Sequence, residues 1–94
     1  MSLRRARARF TFTLGRSAAS VKVKRALALL SDIYRSNPLT QDVWISFNQF
    51  SGKNLNILVM LWTKAPDYPK HLVALQEMNL AVKERFDAEG IGLA

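Results

Sequence analysis

Residues 8–14 alternate in polarity: Ala8, Phe10, Phe12 and Leu14 are apolar, and Arg7, Arg9, Thr11 and Thr13 are polar. A period of two, rich in Phe and Thr, predicts a half-buried strand that Gly15 ends. The period then lengthens. From Ser17 to Ser36, Val23, Leu27, Leu30 and Tyr34 recur at helical spacing with Ala26 and Ile33 beside them, while Lys22, Lys24 and Arg25 lie off the stripe. Ser17 and Ser20 are both capping types, and Asn37-Pro38 ends the helix because the residue before proline avoids helical angles.

Residues 42–50 alternate again, with Val43, Ile45 and Phe47 on one face and Trp44, Ser46 and Asn48 on the other. Phe50 breaks the parity, which predicts a bulge near Gln49. Ser51-Gly52-Lys53-Asn54 reads as a hairpin turn into a third strand over residues 55–63. That strand is apolar on both faces: Ile57, Val59 and Leu61 point one way, and Leu58, Met60 and Trp62 the other. Asp67 and Pro69 then open a helix that runs to about Glu89. Its expected buried stripe is Leu72, Leu75, Met78, Val82 and Phe86, and Gly90 stops it. Ile91 and Leu93 alternate like the opening of one more strand.

The order β-α-β-β-α predicts an α+β fold of the ferredoxin-like split βαβ type, with one antiparallel sheet, two helices on one face and a last strand truncated. Residues 8–94 form the single domain; residues 1–7 read as an added start and a basic lead-in. Two helices cover one face only, yet the hairpin is apolar on both. Either Trp44, Leu58, Met60 and Trp62 or their odd-numbered neighbours are left open, and an apolar patch of that kind calls for a partner. With Ile91 and Leu93 of the cut strand, these residues form the expected subunit interface.

Composition adds three constraints. With 94 residues the chain makes one domain with a thin core. No cysteine is present, which removes disulfides and thiolate metal sites. The longest apolar run, Ile57 to Trp62, is far short of the about 20 residues a membrane span needs. The net charge of +7 is concentrated: residues 1–25 carry eight positive charges and no negative one. Arg4, Arg5, Arg7 and Arg9 are the candidate anion-attracting residues.

Catalytic chemistry finds no foothold. His71 is the only histidine, reads as a solvated residue off the buried stripe, and has no converging partner for a metal or a proton relay. The carboxylates are scattered, and the glycines are isolated rather than gathered in a phosphate loop. No catalytic, cofactor or metal residue is expected. A free module that binds nucleic acid or, as ACT-type domains do, a small ligand is the alternative. Base stacking needs aromatics at alternating positions after Gly52, and none occurs before Trp62.

The run Asn54-Leu55-Asn56-Ile57-Leu58-Val59-Met60-Leu61-Trp62-Thr63-Lys64 passes through Asp67-Tyr68 into a helix closing on Lys83-Glu84-Arg85-Phe86-Asp87-Ala88-Glu89-Gly90-Ile91. In this order it resembles the C-terminal cytoplasmic domain of the small-conductance mechanosensitive channel family. The resemblance implies a channel that opens under membrane tension and releases solutes on osmotic downshock. Seven subunits would enclose a vestibule at the cytoplasmic face of the membrane, with this domain in its lower wall and membrane attachment through upstream segments. The sequence reaches Ala94 without the short Phe-Pro-containing strand the family places next, and it lacks the pore-lining helix, so only the cage portion is expected.

Overall fold

The computed structural model describes residues 6–94. Its elements follow in the order β1 (Ala6–Gly15), α1 (Ser20–Ser36), β2 (Thr40–Ser51), β3 (Asn54–Thr63) and α2 (Tyr68–Ala88). The strands form one sheet in the order β1-β3-β2, with β3 antiparallel to both neighbours. This is the split βαβ arrangement. Leu93 forms an isolated antiparallel bridge with Leu14, and the Ala94 N–H donates to the Thr13 carbonyl at 2.8 Å, beside the outer edge of β1. Ala6 and Arg7, expected in the lead-in, already belong to β1.

The register turns the sequence alternation into two faces. On one, the rows Ala8–Leu61–Val43, Phe10–Val59–Ile45, Phe12–Ile57–Phe47 and Leu14–Leu55–Phe50 run across β1, β3 and β2. Both helices pack here. Ile57, Val59 and Leu61 are fully buried against Leu29, Leu30 and Tyr34 of α1 and Met78, Val82 and Phe86 of α2. Each such side chain contributes about 1.5–3 kcal/mol by leaving water.

Helix α1 begins three residues later than expected. The Ala18 N–H bonds the Gly15 carbonyl in a turn that uses residues 15–18, and Ala19, not a serine, takes the cap position without a side-chain bond. Helix α2 starts as its sequence asks, with the Asp67 carboxylate accepting from the Lys70 N–H at 2.9 Å. It ends in a Schellman motif: Gly90 adopts a φ of 68°, the Ile91 N–H reaches the Phe86 carbonyl, and the Gly90 N–H reaches that of Asp87.

The phase of α2 differs from the expected stripe. Leu72 is 47% exposed and Leu75 half-buried, while the buried line is His71, Ala74, Met78, Val82 and Phe86. His71 is therefore no surface residue; it is 2% exposed, and its Nδ1 lies 2.6 Å from the Thr63 hydroxyl at the end of β3. The first turn of α2 thus seats a polar pair inside the core, with no buried side-chain nitrogen or oxygen left without a partner among the described residues.

Ion pairs close the structure between the helices. The Arg25 guanidinium donates twice to Glu89, at 2.6 and 2.7 Å, and the Lys22 ammonium donates to the Glu89 carbonyl at 2.6 Å. Arg85 of α2 reaches Asp32 of α1 at 2.7 Å. Arg25 holds the Glu89 carboxyl below the usual carboxylate range. Beneath them, the buried Tyr34 hydroxyl donates to Asn79 at 2.7 Å, and burial pushes its pKa well above the ordinary phenol value.

Candidate functional site

Among the described residues no helix lies over the second face of the sheet. Its rows are Arg7–Trp62–Asp42, Arg9–Met60–Trp44, Thr11–Leu58–Ser46 and Thr13–Asn56–Gln49. The alternation of β1 places its polar residues here, because its apolar ones face the helices. The open face is thus an apolar stripe on β3, widened by Trp44, with cations along the β1 margin.

The stripe has internal order. The Trp44 and Trp62 rings meet edge to face at 4.7 Å between centroids, and the Trp44 indole N–H donates to the Asp42 carboxylate at 3.2 Å. Trp44 remains 61% exposed; Leu58, Met60 and Trp62 are half-buried by their neighbours on the sheet. The structure therefore brings together four of the expected interface residues and resolves which of the two faces is open. Ile91 is buried in the chain's own core and does not share that surface. Leu93 is exposed at the outer edge of β1, away from the stripe. Arg7 and Arg9 are exposed and stand beside Trp62 and Met60, while Arg4 and Arg5 lie outside the described residues.

A second surface escaped the reading of the sequence. Register shifts on β2 fall between Thr40 and Asp42 and between Phe47 and Gln49, so Asn48 is the extra residue, next to the expected Gln49. The bulge returns Phe50 to the helix-side face, opposite Leu55. The hairpin loop is only Gly52-Lys53, and its positive φ of 56° at Gly52 followed by a negative one at Lys53 is the pattern of a type II′ turn. A groove of about 750 Å³ opens here between Val23 and Leu27 of α1 and Phe47 and Leu55 of the sheet. The parity break at Phe50 was its only signal in the sequence.

Five of the seven carboxylates have structural partners. Asp67 caps α2, Glu89 and Asp32 tie the helices together, Asp87 pairs with Lys83 and Asp42 holds Trp44. Among the described residues no group of three or more His, Cys, Asp or Glu side chains could hold a metal ion. No helix among them is long and apolar enough to cross a membrane. The sheet is closed by helices on one side and is open, apolar and cation-edged on the other.

Comparison with known proteins shows the family of the chain. Residues 8–93 match the family model "Mechanosensitive ion channel MscS, C-terminal", and the chain belongs to this family. Two relatives come from Methanocaldococcus jannaschii. The small-conductance mechanosensitive channel MscMJ is 31% identical over 74 residues, covering 78% of this chain and 21% of that protein. The large-conductance mechanosensitive channel MscMJLR is 31% identical over 78 residues, covering 78% of this chain and 22% of that protein. The chain therefore spans about a fifth of the length of these relatives. The crystal structure of Helicobacter pylori MscS in its closed state superposes with a TM-score of 0.68 at 14% identity, over 96% of this chain and 35% of that one, which shows the shared fold. The family and both relatives are channels, not enzymes.

Proposed function

We propose that this domain is a wall element of the cytoplasmic vestibule of a tension-gated channel that releases solutes on osmotic downshock, and that it acts by assembling with copies of itself. Membrane attachment belongs to segments beyond this sequence, and the family implies seven subunits. The observation that carries the reading is the open face: Trp44, Leu58, Met60 and Trp62 form an ordered apolar stripe that no element among the described residues covers. Burial at about 25 cal/mol per Å² would let such a stripe contribute a few kcal/mol before the entropic costs of association. A neighbouring subunit or the channel's upstream domain is its occupant.

Arg7 and Arg9 on the margin of that face, with Arg4 and Arg5 before them, raise the local anion concentration at the vestibule wall, over about 8 Å at physiological salt. The test is the full-length channel with Trp44→Ser and Trp62→Ser. Loss of assembled channel on a native gel, with the isolated domain still folded, is the expected result. Full assembly and unchanged tension response would remove the reading.

A further inference from the structure

Two other surfaces of the chain complement each other. The groove between α1 and the β2–β3 hairpin has an apolar floor and two cations on its rim, Arg16 and Lys24. The Arg16 guanidinium lies 5.6 Å from the centroid of the Phe50 ring, which is itself 64% exposed. No carboxylate lines the groove, and neither cation forms an ion pair among the described residues.

The outer crest of α2 has the opposite character. Val73, Glu77, Leu80 and Glu84 follow one another at helical spacing, on the side away from the buried line of Ala74, Met78 and Val82. Val73 is 57% and Leu80 55% exposed. Glu77 and Glu84 form no ion pair among the described residues. The crest is thus an apolar ridge carrying two carboxylates that form no ion pair among the described residues.

We infer that this groove receives the α2 crest of a second copy of the chain, Val73 and Leu80 entering over Phe47 and Phe50 while Glu77 and Glu84 meet Arg16 and Lys24. A helix laid in an apolar groove through residues at i, i+4 and i+7 is a recurring mode of recognition. Charge selects the pairing. Groove against groove would oppose four cations and crest against crest four anions, so only the unlike pair is attractive. The two patches differ, so the contact is head to tail, and a joined pair keeps one free groove and one free crest for further copies. The inference rests on the assembly role proposed above but uses surfaces separate from the open sheet face.

The test is sedimentation of the 94-residue chain at low salt. One variant carries Arg16→Glu with Lys24→Glu, a second carries Glu77→Lys with Glu84→Lys, and a third carries all four. The four side chains are exposed, so circular dichroism should show each variant folded. The expected result is wild-type species beyond the dimer and an association constant lowered about tenfold or more in each of the first two variants. Recovery is expected when those two are mixed and in the fourfold variant. Four results overturn the inference: a wild-type chain that stays monomeric, one that stops at a dimer, association indifferent to the reversals, or a groove that saturates with the amphiphilic anion anilinonaphthalene sulfonate while association is unaffected. Indifference to the reversals combined with sensitivity to Trp44→Ser would leave the sheet-face reading intact; sensitivity to the reversals alone would leave the groove intact and remove the sheet face.

Discussion

The two faces of β3 carry nearly the same kind of residue and meet opposite fates. Ile57, Val59 and Leu61 are fully buried under two helices, whereas Leu58, Met60 and Trp62, one residue out of step, face outward. The strand itself does not decide between them. Its neighbour does: β1 offers Phe10 and Phe12 to one side and Arg7, Arg9 and Thr11 to the other, and register carries that choice across the sheet. A strand apolar on both sides within a sheet covered on one side leaves an apolar surface open, which the proposed assembly would cover.

The contrast breaks most visibly through the core. Leu61→Ala should lower the unfolding free energy by about 2–5 kcal/mol, since it empties a site packed from both helices. Met60→Ser, adjacent in the chain and on the open side, should cost about 1 kcal/mol or less in the same urea titration. Equal losses would mean that the open face is part of the core.

The next effect sharpens the boundary between the faces at the end of β3. His71→Ala leaves the buried Thr63 hydroxyl without its partner and should cost about 1–3 kcal/mol. In a double-mutant cycle Thr63→Val should then cost less in the His71→Ala background than alone; additive losses would show that the hydrogen bond is not what places the helix. Gly90→Ala comes lower, at about 1–2 kcal/mol, because a φ of 68° disfavours any side chain.

The smallest effect lies in acid. The Glu89 carboxyl is depressed by Arg25, so the folded state binds its proton less readily than the unfolded chain does. Its contribution is complete above the ordinary carboxylate value and is lost as pH falls through the depressed one. The pair is exposed, so the loss is modest. Glu89→Gln should flatten this part of the stability profile; an unchanged acid slope would assign it to the other carboxylates.

Much of this was legible before the structure. The five elements follow from changes of period, and proline and glycine mark their ends. What stayed hidden was set by tertiary bonds. Helix α2 turns on a hydrogen bond between Thr63 and His71, two polar residues that no hydrophobic count places inside. Helix α1 loses its first residues to the turn that Gly15 and Ala18 make. The open face was recognised as a necessity, yet its identity required pairing the alternation of β1 with that of β3. Arg7 and Arg9 were noticed as charges, but their place beside Trp62 and Met60 needs the register. The groove depends on a one-residue bulge that brings Phe50 back to the helix side, a displacement that a parity break suggests but does not aim.

The central claim is that the open sheet face is finished by a neighbour within the channel. The mass of the full-length channel carrying Trp44→Ser, measured in detergent beside the stability of the isolated domain with the same substitution, tests it most directly. The account predicts loss of the assembled mass while the domain's unfolding free energy changes by about 1 kcal/mol or less. An intact assembly together with a domain destabilised by several kcal/mol would contradict it, and would make Trp44 an ordinary part of one chain's own fold.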